Sequence, residues 1–267
     1  MGDLGTYRAV VGGGSVVERE TRMSATGSRT RVSMIPSGFD LVAFNEMFRT
    51  SNSQLQRWTS KPALVILASV MEYRASASGQ TYDTTGEQLT DDDVALLRTH
   101  LTEALALLTG NTFTSFASVE IERPAAGTRV NTLRSGHIVV GRYTGIVSFA
   151  KTIGYGLWSE LPDGSIGGGA MYLDRDFDRD DGRRRLLRIH ELGHALGYQH
   201  VESRTSIMNP SIGPEPTDFD RAGAIIAFSR PVGNKSPDID PTTTALGVST
   251  GEGRWSGPRT VCTLVGR

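Results

Sequence analysis

The chain has 267 residues, with 28 Lys and Arg against 29 Asp and Glu, and this near-neutral balance offers no general electrostatic grip on nucleic acid or an anionic membrane. An apolar fraction of 38% suits a folded core, yet no run approaches the roughly 20 apolar residues that span a bilayer. Cys262 is the sole cysteine, which excludes an intramolecular disulfide.

Residues 1–37 are rich in Gly, Ser, Thr and Arg and read as a poorly ordered extension, with no basic region followed by an apolar core of the signal-peptide kind. From Phe39 the pattern changes. Phe39, Val42, Ala43 and Met47 recur at helical spacing and predict a short amphipathic helix. The run ALVILASVMEY from Ala63 reads as a buried strand.

The clearest helix follows. Thr90 can cap it, Asp91 to Asp93 suit the positive helix N-terminus, and Val94, Leu97, Leu101, Ala104, Leu105 and Leu108 form one stripe. Gly110 would end it. Strand-like runs then start at Phe116, His137 and Gly167, a helix is predicted from about Arg183 to Leu196, and another begins at Phe219. This order predicts an α+β domain over residues 38–230 with a mixed twisted sheet. Residues 231–267 are rich in Pro, Gly, Ser and Thr and read as a tail with room for one short strand.

Three of the five histidines fall in HELGHALGYQH, residues 190–200. His190 and His194 sit one helical turn apart on one face, a spacing that suits two imidazoles on one zinc ion at about 2.0–2.1 Å. Glu191 points about 100° away around the helix, too close for a third ligand but within reach of a water on the metal. Gly197 can end the helix in a left-handed turn and bring His200 back to the same ion. Three imidazoles leave a fourth position open, the mark of a catalytic zinc site, where the pKa of water can fall to about 7.

These residues resemble the metzincin zinc endopeptidases, and within them the matrixins. HELGHALGYQH fits H-E-x-x-H-x-x-G-x-x-H at each fixed position, and SIMNPSI (residues 206–212) is similar to the matrixin methionine turn. GGGAMYLDRDF before the motif and PTDFDRAGAIIAF after it resemble the matrixin segments at those places.

The resemblance implies a metzincin-like catalytic domain with an active-site helix, a helix behind the sheet and a C-terminal helix. It makes His190, His194 and His200 ligands of one zinc ion, Glu191 the general base and Met208 the apolar floor beneath the metal. Gly168, Gly169, Ala170, Met171 and Tyr172 would pair with an extended substrate, and Pro210, Ser211 and Ile212 would line the pocket after the scissile bond. A zinc endopeptidase acting as a monomer on peptide or protein substrates, outside the cell, is the function implied. The alternative is a catalytically silent, zinc-stabilised binding protein on a protease fold, against which the retained Glu191 speaks.

The departures are specific. Val201 and Glu202 follow the third histidine where matrixins usually carry Ser, and no tyrosine stands two residues after Met208, unlike the astacin and serralysin branches. Only His100 and His137 remain for the second, structural zinc of animal matrixins, so both are read as surface or core histidines. Asp174 and Asp178 offer calcium-type oxygens, but the interleaved arginines favour a self-paired charge run, which leaves calcium the lesser reading.

Overall fold

The computed structural model describes residues 35–74 and 80–241 in full and, beyond them, only the backbone of four strands. Three of these, β1 (Thr6–Val11), β2 (Ser15–Met23) and β3 (Arg29–Ser33), form an antiparallel sheet of their own. The rest of the expected N-terminal extension as far as residue 34 lies outside the described residues.

The main body runs α1 (Leu41–Phe48), β4 (Ala63–Glu72), β5 (Thr81–Gln88), α2 (Asp91–Leu108), β6 (Val119–Glu122), β7 (Arg129–Asn131) and β8 (His137–Thr144). It continues with α3 (Ile146–Ala150), β9 (Gly154–Glu160), β10 (Ile166–Asp174), α4 (Arg175–Asp180), α5 (Arg184–Ala195), α6 (Asp218–Ser229) and β11 (Ser256–Leu264). The architecture is α+β. One mixed sheet has the order β11-β9-β10-β8-β4-β5-β7, with β6 also pairing to β4. β4, β8 and β10 are parallel to one another, whereas β9 runs antiparallel to β10.

Both faces of the sheet centre are buried, which is why β4 reads as one apolar run rather than an alternation. Leu64, Ile66, Ala68 and Val70 face the helix-side core, while Val65, Leu67 and Met71 face a second core on the other side. That second core carries packed tyrosines: Tyr172 lies 4.8 Å from Tyr143 and 4.5 Å from Tyr155, centroid to centroid.

α2 is capped by Thr90 as anticipated, Asp93 returns the bond to complete a capping box, and the predicted apolar stripe is buried residue for residue. It packs against α5 on the helix side of the sheet. Among the described residues, no helix is long and apolar enough to cross a membrane.

Besides β1–β3, three strands of the main body escape the sequence pattern. β5 (TYDTTGEQ) and the short β7 are too polar to show an apolar alternation, and the glycines of β9 (GYGLWSE) read as breakers. The segment read as a tail is tied down where it is described. Arg49 donates to the Asn234 carbonyl (2.5 Å) and side chain (2.6 Å), and Arg230 pairs with Asp238 at 2.8 Å.

Candidate metal centre

α5 lies along β9 and β10 and carries His190, Glu191 and His194 at its buried C-terminal half. The helix ends as Gly197 permits. At φ +100° Gly197 takes the left-handed conformation, its N–H bonds to the His194 carbonyl, and the N–H of Tyr198 bonds to that of Gly193, both at 2.9 Å. This pair of reversed bonds closes the last turn and redirects the chain. His200 then comes back to the helix face, with Gln199 N–H bonded to the Met47 carbonyl and Val201 N–H to that of Met208.

Among the described residues, His190, His194 and His200 are the group whose ligand atoms converge, all within 4.8 Å of one another. Nε2 of His190 is 3.0 Å from that of His194 and 3.3 Å from that of His200. A tetrahedral zinc ion with ligands at about 2.0–2.1 Å would hold its nitrogens roughly 3.3 Å apart, so these spacings fit the metal. The other ring nitrogens of His190 and His194 are already committed. Nδ1 of His190 donates to the Ile207 carbonyl and that of His194 to the Tyr198 carbonyl, each at 2.7 Å. With Nδ1 protonated, each Nε2 presents a lone pair inward, as a ligand must.

Electrostatics agree with this geometry. Burial pushes His190 down to about 3, and burial with the neighbouring imidazoles pushes His194 well down; burial lowers His200 too. The rings are therefore neutral at ordinary pH, the form that binds a cation. Glu191 is fully buried, neither carboxylate oxygen has a hydrogen-bond partner among the described residues, and burial raises its pKa strongly. A cation among the histidines would favour its charged form.

Met208 lies beneath the helix. Its Sδ would stand 2.5 Å from a Cβ added at Gly193, so any larger residue there would displace the methionine side chain. Asp220 on α6 holds this turn: it accepts from Ser206 Oγ and from the Ile207 N–H (3.2 Å) while completing the Thr217 capping box. Sequence reading missed Asp220, although Thr217-x-x-Asp220 is a visible capping signal. The carbonyls of Ile207 and Tyr198 carry no signal at all, because any residue supplies a carbonyl.

The strand assigned to substrate needs correction. Gly168, Gly169, Ala170, Met171 and Tyr172 lie in β10, whose two edges are paired with β8 and β9. A peptide adding a strand there would find no free backbone groups. Pro210, Ser211 and Ile212 are half-buried beyond Met208, and Ile212 packs on the helix-side core.

The remaining candidates stay apart from this centre. His137 bonds to the Ser135 carbonyl, and His100 faces Arg188 at 3.0 Å. Asp178 is not free for calcium: Arg142 and Arg188 engage its two oxygens at 2.7 and 2.6 Å. Asp174 caps α4 through the Phe177 N–H at 2.9 Å.

The family model described as Matrixin, of the M10 peptidases, matches residues 163–222. That span takes in β10, α4, α5, the methionine turn and the start of α6. The mixed sheet and its helices agree with a matrixin-type catalytic domain, and the match points to the zinc metalloprotease class. No curated protein matches the chain.

Proposed function

We propose that the chain is a zinc-dependent endopeptidase that hydrolyses peptide bonds, with His190, His194 and His200 holding one zinc ion and Glu191 as general base. The observation that carries this reading is the convergence of three neutral imidazoles, with a buried carboxylate on the same helix that has no hydrogen-bond partner among the described residues. A folded structure rarely keeps such a carboxyl without a use for it.

A bound zinc ion supplies Lewis acidity, which polarises a peptide carbonyl and makes water a nucleophile near neutral pH. Glu191 would accept a proton from the attacking water and hand it to the leaving amine. Met208 packs below, and the carbonyls of Ile207 and Tyr198 keep the two helix-borne rings in one tautomer. An extended substrate pairs with β9 rather than β10, and Pro210 to Ile212 border the pocket for the residue after the scissile bond. The same resemblance points to peptide or protein substrates outside the cell and to a monomer.

The test is cleavage of a diverse peptide library with and without a zinc chelator. Cleavage should disappear with the chelator and return on adding zinc. Stoichiometric zinc with no cleavage of any peptide would favour the silent binding protein instead.

A further inference from the structure

We infer that the chain's own C-terminal strand, β11, occupies the backbone edge on which a peptide substrate must lie, so the enzyme competes with itself for its substrate. This rests on the peptidase reading above. β9 has two edges: β10 takes one, and β11 pairs antiparallel along the other, with Arg259 opposite Trp158, Cys262 opposite Gly156 and Leu264 opposite Gly154.

That stretch of β9 is the part that touches the metal helix. A Cβ added at Gly156 would stand 2.6 Å from the Glu191 carbonyl oxygen and from His194 Cβ, and one at Gly154 2.9 Å from Glu191 Oε1. An extended peptide that brings a carbonyl to the histidine cluster must use the hydrogen-bonding groups of β9 beside it. β11 uses the same groups, and one edge cannot serve two strands.

Glu191 and His194 are fully buried and His190 is 1% exposed, whereas His200 is half-buried. The pairing is imperfect. Its register shifts twice, between Ser256 and Arg259 and again between Arg259 and Cys262, and Pro258 removes one donor. Such a strand is suited to leave.

Docking reduces the fraction of molecules able to accept a peptide, which raises KM and leaves kcat alone. The test uses the full chain carrying Val261→Pro and Cys262→Pro. Consecutive N–H groups point to opposite sides of a strand, so one of these prolines removes a donor on the β9 side. KM for an extended peptide should fall about tenfold at constant kcat, with faster hydrogen exchange at residues 154–160 and unchanged zinc content.

An unchanged KM, or a higher KM with lost activity, would overturn the inference, the latter making β11 a fixed wall of the cleft. If neither chain cleaves anything, the peptidase reading fails alone. Docking is then judged by the exchange data and by binding of a fluorescent extended decapeptide, which should be about tenfold tighter in the variant. Equal binding by the two chains, or binding by neither, would overturn the inference as well.

Discussion

His190 donates through Nδ1 to the carbonyl oxygen of Ile207 at 2.7 Å, joining the first proposed ligand on α5 to the residue just before Met208. Ile207 is in turn held by Asp220 through its N–H, at 3.2 Å. His190, the methionine turn and the C-terminal helix thus form one hydrogen-bonded chain, and disturbance at its far end should reach the proposed metal site.

Asp220→Ala tests that chain. It removes the Asp220 half of the α6 capping box and leaves the Ile207 N–H and Ser206 hydroxyl without their acceptor, which should cost about 2–4 kcal/mol in denaturant unfolding. Zinc affinity should fall about 10–100-fold, as for other outer partners of metal ligands. Lost stability with unchanged zinc affinity would show that the turn does not orient His190.

Glu191→Ala should keep stoichiometric zinc and lower kcat about 10²–10⁴-fold, measured on the best peptide of a library. The ligand set is untouched, so a parallel loss of zinc would mean that Glu191 holds the site together instead of activating water.

Acid should destabilise the zinc-free chain. Burial brings His190 from an ordinary 6.5 to about 3, so between those values the unfolded state binds the extra proton. Stability from this group is complete above about pH 6.5 and falls by about 1 kcal/mol per pH unit as pH drops toward 3. His194 and His200 shift in the same direction and steepen the loss. Chemical denaturation from pH 7.5 to 4.5 measures it; a flat profile would contradict the buried, neutral rings.

Asp178→Ala should be severe, since it strands the buried guanidiniums of Arg142 and Arg188. A loss of about 3–5 kcal/mol is expected. Calcium added to the unaltered chain should leave its melting temperature unchanged, because those arginines already neutralise Asp178; a clear rise would revive the calcium reading.

Much of the centre is legible in the sequence because it is local. Four residues separate His190 from His194, one from Glu191, and a single glycine turns the chain toward His200; helix geometry and glycine's conformational freedom do the rest. The α2 stripe and its Thr90 cap are readable for the same reason. What the sequence does not reveal depends on partners distant along the chain. Asp220 reaches Ser206 and Ile207 only once α6 has packed, and the His190 and His194 tautomers rest on backbone carbonyls common to every residue.

Strand order is the sharpest case. GGGAMYLD and GYGLWSE are both glycine-bearing strands, and nothing in either shows which lies inside the sheet. Only the assembled sheet decided that β10 is flanked on both sides, that β9 borders the metal helix, and that β11 lies along it. Backbone edges are shared by pairing rather than by residue type, so the tertiary arrangement alone determines which of them a peptide can use.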